Sequence, residues 1–153
     1  MKYIRGCEVK QIDIADDFYD TYKNCFSTGS NRIYAIPGFV NGLFACELYL
    51  KIIIGKKGKK VNELKGKERH NLYALFNLLE DNEKEKLISV KNDRNYNLED
   101  LLINIGDGFI NWRYIYEDDN GDFGNQLPFL YTEVFLDNYS PILRALAHGN
   151  IDQ

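Results

Sequence analysis

Glu47, Lys51, His70, Arg113 and Glu117 are the side chains whose types and spacing could do chemistry together. Glu47 and Lys51 stand one helical turn apart, as do Arg113 and Glu117, so two helices would each present a charged pair on one side. Brought face to face, they would make an anion-handling site. A guanidinium and an ammonium would hold a phosphate, a carboxylate would orient them, and an imidazole would move a proton. The same pairs would equally serve as structural ion pairs that fix helix register, with Trp112 and Tyr114 stacked around Arg113. Spacing alone leaves both readings open.

The element that must position Glu47 is the stretch from Ile36 to Ile54. At 100° per residue, Ile36, Val40, Leu43, Glu47, Leu50 and Ile54 share a narrow stripe that Phe39, Phe44, Cys46 and Ile53 widen. Such a helix is buried on most of its circumference. A carboxylate in the middle of its apolar stripe is costly unless a cation or several donors meet it. The expected partner is Arg113, on the edge of the face formed by Phe109, Trp112 and Tyr116.

Around this pair the chain reads as helices. Residues 1–12 form an extended arm, and a first helix starts near Asp13, where Asp13, Asp16 and Asp17 suit the positive end of the helix dipole. The second helix starts afresh or kinks at Pro37 and stops at Gly55. Residues 55–69 carry six lysines and Arg69 against Glu63 and Glu68, a mobile basic loop that delivers the chain to His70 and a short helix over 71–79. Asn82 and Glu85 mark the start of another short helix, and Asn97 caps a long one running from Leu98 to Tyr116. Gly106 and Gly108 weaken that helix or admit a close neighbour. An acidic loop spans 118–126, a last helix follows Pro128, and Pro141 kinks or ends it before a final turn over 142–148. With no internal repeat and no convincing alternating strand, the expected fold is all-α, an up-and-down bundle of about five helices in a single domain over 1–153. Its core sets the second helix against the Leu98–Glu117 helix.

Length and composition fit that reading. A chain of 153 residues with 44% hydrophobic and 14% aromatic content can bury one sizeable core. The longest apolar run is interrupted by Asn41, Glu47 and Lys51, so no membrane span is expected, and Met1–Arg5 has no apolar signal core behind it. Cys7, Cys25 and Cys46 are odd in number and share no metal or redox spacing, which suits free thiols in the cytoplasm. A formal charge of −4 argues against bulk coating of nucleic acid but leaves room for a local phosphate site. Asp118-x-Asn120-x-Asp122 begins like a calcium loop, but Phe123 and Phe129 stand where glycine and glutamate are required. Residues 55–60 lack the glycine spacing and the hydroxyl of a phosphate loop, and two histidines with scattered cysteines make no zinc site. Neither a metal nor a cofactor is expected.

His70 sits where the basic loop enters a helix, a place that welcomes an anion. A bundle with Phe44-Ala45-Cys46-Glu47-Leu48-Tyr49-Leu50-Lys51 on its second helix, His70-Asn71-Leu72 after a basic loop, and Trp112-Arg113-Tyr114-Ile115-Tyr116-Glu117 on its fourth resembles the HEPN domains of prokaryotes. These motifs span about residues 39–117. The resemblance implies a helical bundle, often a homodimer, in toxin–antitoxin or phage-defence systems, sometimes beside a nucleotidyltransferase partner. In active branches it implies a metal-independent ribonuclease. Those branches carry arginine and histidine separated by four to six intervening residues, a spacing absent after Arg113. Arg144-x3-His148 is the near miss. The chain is more similar to the branch with a histidine after the second helix and Arg-Tyr on the fourth, for which nucleotide or RNA binding is implied.

Two functions are therefore expected to compete. In the first, the protein binds a nucleotide or RNA phosphate through Arg113 and Lys51, with Glu47, Tyr114 and Glu117 around the ligand. If it cleaves RNA, His70 is the general base and Arg113 stabilises the phosphorane. In the second, it is a non-catalytic interaction module, the partner or immunity half of a defence pair, whose charged residues only fix the bundle.

Overall fold

A computed structural model describes residues 2–4, 7–27, 34–113 and 129–149, with the backbone alone at 2–4, 7–9 and 113. The chain opens on an antiparallel hairpin, β1 (Lys2–Ile4) and β2 (Cys7–Val9), with Tyr3 opposite Glu8. This corrects the expectation of a chain without strands, although the all-α class stands. The hairpin leads directly into α1 (Gln11–Cys25), where the amide of Lys10 donates to Asp13 Oδ2 and ties down the start.

The central rod is α2 (Ala35–Lys56). Pro37 falls in its first turn, where an amide has no intrahelical partner to lose, so the helix neither kinks nor restarts there. Phe39, Leu43, Cys46, Leu50, Ile53 and Ile54 of the apolar stripe are buried, Ile36, Val40 and Phe44 are half-buried, and Ala45 and Tyr49 are buried outside it. By length and composition α2 could cross a membrane, but 61% of its most apolar window is buried inside the fold, as befits a core helix. Its most extensive packing is against α1 and the last helix, ahead of the segment that contains Trp112. The expected core pairing is thus only part of the interior. Gly42 makes the approach possible, since a Cβ there would lie 2.9 Å from Leu136 Cδ1.

After α2 the basic stretch folds into two 3₁₀ turns, Val61–Glu63 and Gly66–His70, rather than running as an unstructured loop. Asn71 caps α3 (Leu72–Asn77) by accepting from the amide of Ala74. The next helix, α4 (Asp81–Ile88), begins at Glu80 with no side-chain cap, so Asn82 lies inside the helix instead of capping it. Asn97 does cap α5 (Leu98–Ile105), accepting from Asp100 N.

The long helix expected after Asn97 is broken at Gly106–Asp107 and resumes as α6 (Gly108–Arg113). The break has a cause. Gly106 O accepts from Leu72 N, and a Cβ on Gly106 would lie 2.6 Å from Asn71 Nδ2, so the start of α3 is docked against bare backbone.

The last helix, α7 (Phe129–His148), runs through Pro141 without ending, so of the two outcomes expected at that proline, a kink or an end, the end does not occur. The proline ring removes one amide, while Ser140 Oγ donates to Leu136 O one turn back. The described residues thus form an all-α bundle of seven α-helices behind a short hairpin, more pieces than expected because one long helix is split. Trp112, 1% exposed, fills the centre between Phe39 and Phe129, and its indole donates to Thr132 Oγ1.

Candidate functional site

Glu47 lies on α2 with 1% exposure, at the depth expected from its place in the apolar stripe. Its partners are Lys51 and His70. Lys51 Nζ, one turn along the same helix, is 2.6 Å from Glu47 Oε1, and His70 Nδ1, at the end of the second 3₁₀ turn, is 2.8 Å from the same oxygen. Three of the five side chains singled out in the sequence therefore converge on one atom. Arg113 ends α6 and its side chain lies outside the described residues, as do Tyr114, Glu117 and the acidic loop over 118–126.

The polarity of the contact follows from its geometry. Oε1 accepts from the Lys51 ammonium and carries no hydrogen to offer, so Nδ1 of His70 is the donor. A neutral imidazole held this way has its lone pair on Nε2. The His70 side chain is 48% exposed and that of Lys51 26%, so a buried carboxylate orients two groups that reach solvent. Glu47 Oε2 is buried with no hydrogen-bond partner among the described residues, leaving one acceptor for a further donor. Gln11, Ile14, Leu48, Lys51 and Ile52 line a mostly apolar pocket of about 140 Å³ nearby. The exposed basic residues Lys59, Lys60, Lys65, Lys67 and Arg69 precede His70 in the chain, so the imidazole stands at the end of a cationic segment.

A second charged cluster was not expected. Asp16, read from the sequence as a dipole charge on the first helix, accepts from Tyr49 Oη at 2.6 Å, from Arg144 Nε at 3.1 Å, and lies 2.9 Å from His148 Nε2. Burial pushes the Asp16 carboxyl up, but the hydrogen bonds from Tyr49, His148 and Arg144 outweigh it and hold the group below its ordinary range. Arg144 also covers the face of Tyr19 at 5.1 Å. The signal available in the sequence was the one-turn spacing of Arg144 and His148; what it lacked was the carboxylate they share, more than a hundred residues earlier. This knot joins α1, α2 and α7.

Among the described residues, Cys25 and Cys46 are free thiols, and burial raises Cys46 well above the usual thiol range, so it packs as a small apolar group. No family model, no curated protein and no solved structure matches the chain.

Proposed function

We propose that the protein is a HEPN-like helical domain that binds the phosphate of a nucleotide or of RNA at the Glu47–Lys51–His70 cluster. One observation carries this reading: a buried carboxylate oxygen shared by two solvent-reaching cation or proton-donor groups at the end of a lysine-rich segment. Lys51 supplies charge, and His70 supplies a ring nitrogen whose direction Glu47 fixes. A phosphate oxygen suits both. Arg113, expected from the sequence as a further anion contact, ends the helix that follows Gly108.

If the ligand is RNA and it is cleaved, the same arrangement suits general-base catalysis. The imidazole would take the proton of a ribose hydroxyl at Nε2 while Glu47 steadies the imidazolium that forms. In keeping with the resemblance, the setting is a prokaryotic toxin–antitoxin or phage-defence pair, and the active form is a homodimer.

Binding of a fluorescein-labelled single-stranded RNA and of ATP to the intact chain tests the reading. His70→Ala and Lys51→Met should each weaken binding about tenfold. Each also lowers the melting temperature because it takes a partner from buried Glu47, so affinities are compared at a temperature where every variant is folded. Any RNA cleavage should fall by about two to four orders of magnitude in His70→Ala. Unchanged affinity in both variants would leave the cluster a structural device. In that case the protein is read as the non-catalytic partner module, a reading favoured by Glu47 holding the second 3₁₀ turn against α2.

A further inference from the structure

A different part of the molecule holds a carboxyl group that no contact among the described residues explains. Glu83, in the first turn of α4, is 5% exposed, and neither of its oxygens has a hydrogen-bond partner among the described residues. It lines a pocket of about 250 Å³ with Lys56, Lys57 and Lys86, over the apolar side chains of Ile53 and Leu146. Lys57 and Lys86 are near enough to act on Glu83 through space, as Lys59 also does, yet no hydrogen bond joins any of them to it. Lys56 instead donates to Ala147 O, and Lys57 lies 3.8 Å from Glu80. Burial pushes the Glu83 carboxyl up, and Lys57, Lys59 and Lys86 only partly offset it.

A carboxyl in this state lacks donors, not charge. Its two oxygens diverge in one plane and suit two adjacent N–H groups, and Lys56, Lys57 and Lys86 suit an anion. A ligand satisfying both has paired planar N–H donors at one end and a negative group at the other, with a flat apolar body between for Ile53 and Leu146. The volume is at the small end for ligand sites. We propose that the pocket between the end of α2, the start of α4 and the end of α7 binds a guanine mononucleotide, its N1–H and exocyclic amino group on Glu83 and its phosphate on the lysines. Free arginine shares the paired donors and an anionic end. Its single carboxylate charge makes less of three ammonium groups than a phosphate does. The pocket owes nothing to the Glu47–His70 cluster and stands whether or not that cluster binds RNA.

Calorimetric titration of the full chain with GMP, IMP, AMP, arginine and inorganic phosphate tests the assignment. The expected order is GMP over IMP, which lacks the amino group, over AMP, which offers no N1–H, with GMP at least about tenfold tighter than AMP or phosphate. Glu83→Gln should remove that preference. Lys57→Met should weaken GMP and AMP alike. Phosphate or arginine binding as tightly as GMP, equal affinity for GMP and AMP, or no heat with GMP at millimolar concentration would each overturn the proposal. If Glu83→Gln does not fold, the order of the ligands on the natural chain decides it.

Discussion

Three carboxylates in this molecule meet three different fates, and each fate has a measurable consequence. Glu47 is buried and partnered by an ammonium and an imidazole. Asp16 is half-buried and over-supplied with donors, so its proton is lost more readily in the folded state than in the unfolded chain. As pH falls through the ordinary value of 3.8 the unfolded chain takes up that proton first. The stability contributed by the knot is therefore present above that pH and lost below it. Asp16→Asn should flatten the acid limb of a melting-temperature profile; an unchanged slope below pH 4 would show that the knot contributes nothing. Glu83 has the opposite sign. Its folded-state value is raised, so the native protein holds the extra proton and stability declines as pH rises from 4.5 towards that raised value. Replacing a buried, unpartnered carboxyl by an apolar side chain of similar size removes a desolvation cost of about 1–3 kcal/mol. Glu83→Met is therefore expected to melt several degrees higher than the natural chain at pH 7. A lower melting temperature would mean that the carboxyl is satisfied by something the protein itself provides.

At the scale of elements, the split between α5 and α6 shows how one glycine sets a helix boundary. The sequence stripe from Leu98 through Trp112 continues on both sides of the break, with Leu101, Leu102, Ile105 and Trp112 all buried. Periodicity thus identified the buried face without revealing the interruption. The interruption comes from α3, whose first amide donates to Gly106 O and whose cap, Asn71, also reaches Asp107 Oδ1. A Cβ at position 106 would meet Asn71 at 2.6 Å and Leu102 O at 2.9 Å. Gly106→Ala is expected to cost about 1–3 kcal/mol in urea denaturation, and because Asn71 adjoins His70 it should also loosen the imidazole. A variant of natural stability would show that α3 tolerates a shift.

For the whole molecule, one interior is shared by nearly every element. Trp112 touches Phe39 of α2 and Phe129 of α7. As the chain's single tryptophan, it reports on the meeting of three helices. Its fluorescence transition in urea should coincide with the loss of far-ultraviolet circular dichroism, as a single cooperative core requires. A fluorescence change at lower denaturant would mean that α6 undocks before the bundle unfolds.

Residue order by itself determined the helical class, the apolar stripe of α2, the Asn97 cap and the burial of Glu47, because these follow from periodicity and local hydrogen bonding within a few residues. It also placed Glu47, Lys51 and His70 in one proposed group. Only the tertiary structure decided that Lys51 and His70 meet Glu47 on a single oxygen, that Asp16 gathers Arg144 and His148 from the far end of the chain, and that Glu83 is enclosed without a hydrogen-bond partner among the described residues. The reason is physical. Helical repeat tells which side of an element is buried, but the atom a charged side chain meets depends on how separate helices cross, and that is fixed by packing contacts such as those at Gly42 and Gly106.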